Sequence, residues 1–119
     1  FNYLVVKTVD DKTIFSQRSD KGIWQGLYQF PLIETDEMIT KEQLVSSKEF
    51  CILFPEETTI SLFNQKEIVH KLSHQHLYTQ FWIIETKQHK AAEIPWETIH
   101  SYPVPVLIAN FLTDFRFEK

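Results

Sequence analysis

Hydrophobic positions along this chain fall mainly into short runs of branched and aromatic residues, the pattern of β-strands. Residues 3–9 (YLVVKTV) predict the first strand. Asp10-Asp11-Lys12 predicts a turn, and residues 13–18 (TIFSQR) a second strand that closes a hairpin on the first. Residues 19–26 read as a loop, and residues 27–33 as a short strand ending near Pro31. A further short strand is predicted over 60–63. Residues 67–73 and 77–86 predict two more, joined tightly at His74-Gln75-His76. In the last of these, Leu77, Thr79, Phe81 and Ile83 share one face, and Tyr78, Gln80, Trp82 and Ile84 the other. Both faces are apolar, so this strand is expected at the centre of a sheet, covered on both sides.

Helical patterning is confined to two or three places. Thr40-Lys41-Glu42-Gln43 has the form of a capping box, Thr as N-cap with Gln three residues later, and predicts a helix over 41–50. Pro55 and its acidic neighbours end that pattern. Residues 94–99 predict a helical turn. Pro103 and Pro105 then lead into a C-terminal helix from Val106, with Pro in its first turn. Leu107, Phe111 and Phe115 stand at i, i+4 and i+8, a core-facing stripe. The order β-β-β-α-β-β-β-α gives an α+β fold: a mixed sheet flanked by two or three helices.

At 119 residues the chain is expected to form one domain, and 43% hydrophobic residues suffice to fill its core. No apolar run approaches the roughly 18 residues needed to cross a bilayer. The chain opens on Phe1 with no basic leader and runs almost at once into a strand, as expected of a piece of a longer protein. The lone Cys51 cannot form an internal disulfide or a four-cysteine metal or iron–sulfur site. It reads as a small apolar residue of a core segment in a reducing, cytoplasmic protein. Net charge is −4, which weighs against a free-standing nucleic-acid binder. The charge is unevenly spread, however. Glu34, Asp36, Glu37, Glu42, Glu49, Glu56 and Glu57 face only Lys41 and Lys48 over residues 34–57. Residues 64–76 instead carry Lys66, Lys71, His70, His74 and His76 against the single acid Glu67. One face can therefore meet phosphates while an acidic arm points away, provided an attached basic domain supplies most of the phosphate affinity.

Three motifs recur in a telling order. Arg18 precedes Gly22-Ile23-Trp24-Gln25-Gly26-Leu27-Tyr28-Gln29-Phe30-Pro31; Leu72-Ser73-His74 follows; Tyr102-Pro103-Val104-Pro105 comes last. In this order they resemble the C-terminal, Nudix-like domain of the MutY family, the A/G-specific adenine DNA glycosylases. The resemblance spans nearly the whole chain. It implies a domain that senses 8-oxoguanine in double-stranded DNA opposite a mispaired adenine, while a catalytic domain upstream of Phe1 hydrolyses the adenine N-glycosidic bond. It implies no cofactor here and, in that catalytic domain, a four-cysteine 4Fe–4S cluster. A monomer associated with the bacterial nucleoid is expected, and this piece alone is expected to be non-catalytic.

Nudix hydrolases share the approach through Arg18 and the Gly-x-Trp-x-Gly-Leu-x-x-Phe-Pro run. Their chemistry then needs Gly-x5-Glu-x7-Arg-Glu-x-x-Glu-Glu-x-Gly, whose glutamates hold magnesium against substrate phosphates. After Pro31 this chain contains neither a Gly nor an Arg-Glu pair, and Glu56-Glu57 sits beside Pro55. Ser73 and His74 are adjacent and, on a strand, point to opposite faces, which disfavours a nucleophile–base pair. His70, His74 and His76 have even spacing but no neighbouring thiol or carboxylate at metal-ligand spacing.

8-Oxoguanine differs from guanine by an N7–H donor and an O8 acceptor, so its reader must present an acceptor where guanine itself offers one. A turn serine, able to donate or accept, meets that need, and Ser73 matches the family's loop serine. Leu72 is the apolar neighbour that stacks or wedges at the base step, where many members have Phe. His74 contacts phosphate or the base edge and gains charge near pH 6.5. Lys66, Lys71 and His76 are the candidates for backbone contacts that position without reading; Arg18 and Lys21 read first as solvated surface and second as further backbone contacts. Trp24, Tyr28 and Phe30 are expected in the framework rather than on bases. Two other readings stay open: a nucleotide-binding or hydrolysing Nudix domain with a degenerate box, and a protein-interaction module that uses the acidic arm.

Overall fold

The computed structural model describes residues 1–18, 25–64, 68–71 and 76–115. Its spine is a parallel pair. Strand β1 (Asn2–Lys7) runs alongside β8 (His76–Glu85) in register from Asn2↔Gln80 to Lys7↔Glu85. Outside β1 lies β5 (Leu32–Ile33), antiparallel. On the far edge of β8 lie β6 (Thr59–Leu62) and β7 (Ile68–Lys71), both antiparallel to it. The main sheet is therefore mixed, in the order β5-β1-β8-β6 with β7 beside β6 on the same edge. Two small ladders complete the β-structure. One pairs β2 (Lys12–Thr13) with β9 (Ile94–Pro95); the other pairs β3 (Ser16–Gln17) with β4 (Tyr28–Gln29).

The expected alternation of β8 holds, and with it the expected central position. Phe81 and Ile83 join Tyr3 and Val5 of β1 in one buried cluster, closed by Leu107, Ile108, Phe111 and Leu112 of helix α3 (Val106–Asp114). Phe81 and Phe111 stack with centroids 4.3 Å apart. Trp82 and Ile84 join Leu4 and Val6 in a second cluster on the opposite face. That face is covered by Leu44 of α1 (Lys41–Ser46) and Phe50 of α2 (Lys48–Leu53). Mixed sheet plus helices on both faces is the α+β class expected. The stripe on α3 is as expected, with Leu107 and Phe111 buried and Phe115 packed against the same cluster.

Several local expectations are corrected. The hairpin between residues 3–9 and 13–18 is closed only at its turn, where Thr8 N–H donates to Lys12 O (3.0 Å) and Asp11 takes a positive φ of 59°. Beyond that, the outer edge of β1 is already taken. Leu4 N–H donates to Pro31 O (2.9 Å), and the Trp96 indole N–H donates to Val6 O (3.1 Å). With those groups occupied, β2 turns away to β9. Residues 27–33 form two short strands rather than one, with Pro31, which lacks an N–H, between them. The helix expected over 41–50 breaks in two. The Thr40 capping box is present, but Ser47 takes an extended ψ of 146° and caps a second helix, its Oγ accepting from Phe50 N–H (3.2 Å). That restart turns Phe50 inward and Cys51 outward, so Cys51 is exposed rather than in the core. Residues 94–99 open as β9 and continue as a 3₁₀ helix (Trp96–Ser101). No helix of the described residues is long and apolar enough to cross a membrane.

Candidate nucleic-acid interface

The end of the sheet at which β1 and β8 begin holds two of the residues singled out from the sequence, Lys71 and His76. There β7 ends at Lys71 and β8 begins at His76, and these two are the last Cα partners of their antiparallel ladder. The triplet Leu72-Ser73-His74 belongs to the connection between them and lies outside the described residues, as do Lys66, Lys21 and Trp24. Lys71 and His76 are thus brought to one place by strand pairing.

What holds β7 there is a residue that sequence reading missed. On their common edge of β8, β6 pairs as far as Leu62↔Trp82 and β7 resumes at Ile68↔Thr79. Phe63 N–H still reaches Phe81 O (2.8 Å). The remaining groups in the gap are met by the side chain of buried Asn64. Its Nδ2 donates to Thr79 O (3.0 Å) and its Oδ1 accepts from Phe81 N–H (2.8 Å). The amide acts as one rung of the ladder, which lets the chain leave β6 and return as β7 without orphaning buried backbone groups. An Asn following a strand pattern carries no such signal by itself.

Arg18 follows β3 and is fixed by the hairpin with β4. Its N–H donates to Leu27 O, and Gly26 N–H donates back to Arg18 O, both at 2.9 Å. Gly26 supplies the φ of +84° that this closure requires. Arg18 is half-buried rather than fully solvated, and its Nη1 donates to Gln29 Oε1 (3.3 Å). The Tyr3 hydroxyl reaches the same oxygen at 3.5 Å. Burial pushes the Tyr3 phenol well above its ordinary range, Arg18 opposing and Glu34 reinforcing the shift. Tyr3 is the Cα partner of Phe81, five residues into β8 from His76. Arg18 therefore engages the sheet on the order of 17 Å along the strand from the β7–β8 connection. A cleft of about 390 Å³ opens beside it, lined by Gln29 and Glu34 with Phe30, Pro31 and Leu32.

The framework residues meet across the chain. Tyr28 N–H donates to Pro103 O (2.8 Å), and the Tyr28 and Tyr102 rings lie 4.8 Å apart. Phe30 is fully buried against Phe15 and Phe111. Residues 28–31 and 102–105, more than seventy positions apart in the chain, are thus one structural unit.

The acids of residues 34–57 are all exposed and dispersed over a loop, two short helices and the turn at Pro55. Among the described residues, no group of three or more His, Cys, Asp or Glu side chains converges as a metal ion would need.

A family model of the NUDIX domain matches residues 2–114. No curated protein matches the chain.

Proposed function

The chain belongs to the NUDIX domain family, and from that premise we propose that it is the lesion-reading domain of a MutY-type adenine DNA glycosylase. The observation that supports the reading is the pairing that brings together Lys71 and His76, the residues that flank Leu72-Ser73-His74-Gln75 in the sequence. The triplet follows β7 and precedes β8 in the sequence, two strands paired antiparallel as far as Lys71↔His76, and it falls between the two framework segments that meet at Tyr28 and Pro103. Strand pairing on both sides anchors the ends of such a connection, and binding residues often lie on segments anchored in this way.

In this reading Ser73 presents the acceptor that N7–H of 8-oxoguanine requires. Leu72 stacks at the neighbouring step, and His74 bonds phosphate or the base edge. Lys66, Lys71, His76, Lys21 and Arg18 contact the backbone and set register. The catalytic domain, upstream of Phe1 and carrying its own 4Fe–4S cluster, flips and excises the opposing adenine. This domain contributes recognition and no bond cleavage. The protein works as a monomer on the duplex in the bacterial cytoplasm.

An amide NMR titration with a duplex holding one 8-oxoguanine:adenine pair, against a guanine:adenine control, tests the proposal. Lesion-dependent shifts at residues 71–76, lost in Ser73→Ala and His74→Ala, are expected. Equal responses to both duplexes would reduce the domain to a backbone clamp. A second reading, nucleotide binding or hydrolysis, draws on the family match and on the cleft beside Arg18. Phosphate release from 8-oxo-dGTP with magnesium would favour it.

A further inference from the structure

We propose that an exposed apolar patch centred on Tyr78 is the seat of the catalytic domain that, in the function proposed above, precedes Phe1. The patch arises where the helical layer stops short. On the face carrying Trp82 and Ile84, that layer ends at Ile39, whose backbone N–H and C=O are both clasped by the Gln80 side chain at 3.1 Å. Two residues further out on the same face of β8, Tyr78 is 47% exposed. Its cross-strand partner Val69 shares that face and is 38% exposed. Met38, which adjoins the clasped Ile39, is 39% exposed. Tyr78 and Val69 are thus exposed cross-strand neighbours, and Met38 follows on the segment that Gln80 holds beside them; the other large exposed hydrophobics among the described residues are Val9, Ile52 and Val106. A clustered apolar patch marks an interaction surface, where scattered single residues do not.

Two observations choose the occupant. The chain enters at this corner: the Phe1 nitrogen donates to Tyr78 O at 2.7 Å, and Phe1 O accepts from Gln80 N–H at 2.8 Å. Whatever precedes Phe1 therefore starts beside the patch, at high effective concentration. The rim is also acidic, with Glu34, Asp36 and Glu37 all exposed just ahead of Met38. An acidic rim repels phosphate and complements a basic protein surface, the kind a DNA-binding catalytic domain must carry. The patch thus suits a protein surface and not a phosphate backbone.

The test uses the full-length protein with the photo-crosslinker p-benzoylphenylalanine in place of Tyr78, and in place of exposed Val106 as control. After irradiation, with and without 8-oxoguanine:adenine duplex, crosslinked peptides are mapped by mass spectrometry. The expected result is crosslinks from position 78 to peptides upstream of Phe1, none from position 106, and loss of the former in Val69→Asp. Crosslinks only to DNA, only to a second copy, or no more than the control would each overturn the proposal. Adenine excision by the unmodified protein is measured alongside. If excision is absent, the glycosylase reading fails by itself; if excision is present and upstream crosslinks are absent, only the docking surface fails.

Discussion

Asn64 shows how much one side chain decides. Its amide replaces two backbone partners of β8 in the gap between β6 and β7. Asn64→Ala leaves Thr79 C=O and Phe81 N–H buried without it, at about 1–3 kcal/mol for each group. Urea denaturation should therefore show a loss of roughly 2–6 kcal/mol, and a loss below about half a kilocalorie would mean that water replaces the amide. The same variant should blunt lesion-dependent NMR shifts, because β7 carries Lys71 to the site. Tyr3 makes a second prediction. Its phenol is held above its ordinary 10.0, chiefly by burial. The neutral form is thus favoured in the folded state, so this contribution is complete below pH 10 and is lost as pH rises further. Tyr3→Phe keeps the ring stacked on Phe81, 5.4 Å away, and should move alkaline unfolding to higher pH. Coincident transitions in fluorescence-monitored titrations would refute the assignment.

Between residues and fold lie the helical elements, where local rules competed with packing. The capping box at Thr40 was legible because both of its bonds are local: Thr40 Oγ1 accepts from Gln43 N–H, and Gln43 Oε1 accepts from Thr40 N–H. The break at Ser47 was not, because Ser-Ser inside an apolar-periodic run permits either continuation or a new cap. Packing chose the new cap, which sets Phe50 and Phe54 5.0 Å apart in the core and leaves Cys51 outside. Thr40→Ala and Ser47→Ala should each cost about 1 kcal/mol in thermal or urea unfolding, the usual value of an N-cap. Should Ser47→Ala instead be neutral, helix 41–53 can run through the break. The first hairpin was misjudged for a related reason: the Trp96 indole, ninety residues away, holds the Val6 carbonyl that a hairpin partner would have used.

At the scale of the whole molecule, charge governs how the domain can meet DNA. With a formal charge of −4, the isolated domain should bind duplex weakly. Its few cationic contacts should set the salt dependence. Lys66→Ala and Lys71→Ala should each reduce the slope of log K against log salt by about 0.9, without changing the preference for 8-oxoguanine over guanine. Unchanged slopes in fluorescence anisotropy would remove these lysines from the interface. Ser73→Ala should do the reverse, keeping the slope and losing the preference.

The sequence by itself determined the class of fold, the central place of β8, the capped helix at Thr40 and the core stripe of α3. Each of these is written in short-range periodicity or in bonds between residues three or four apart, and such signals survive without knowledge of the rest of the chain. The Nudix-like character of the run over residues 18–31 was equally legible, and the NUDIX match over residues 2–114 agrees with it. Only the tertiary structure decided the parallel pairing of β1 with β8, the Asn64 rung, the Tyr28–Pro103 contact, the half-burial of Arg18 and the exposed corner at Tyr78. All of these depend on groups distant in sequence that compete for the same edge or face. A strand's partners are chosen by which donors and acceptors remain free after the core has closed, and no local pattern records that competition.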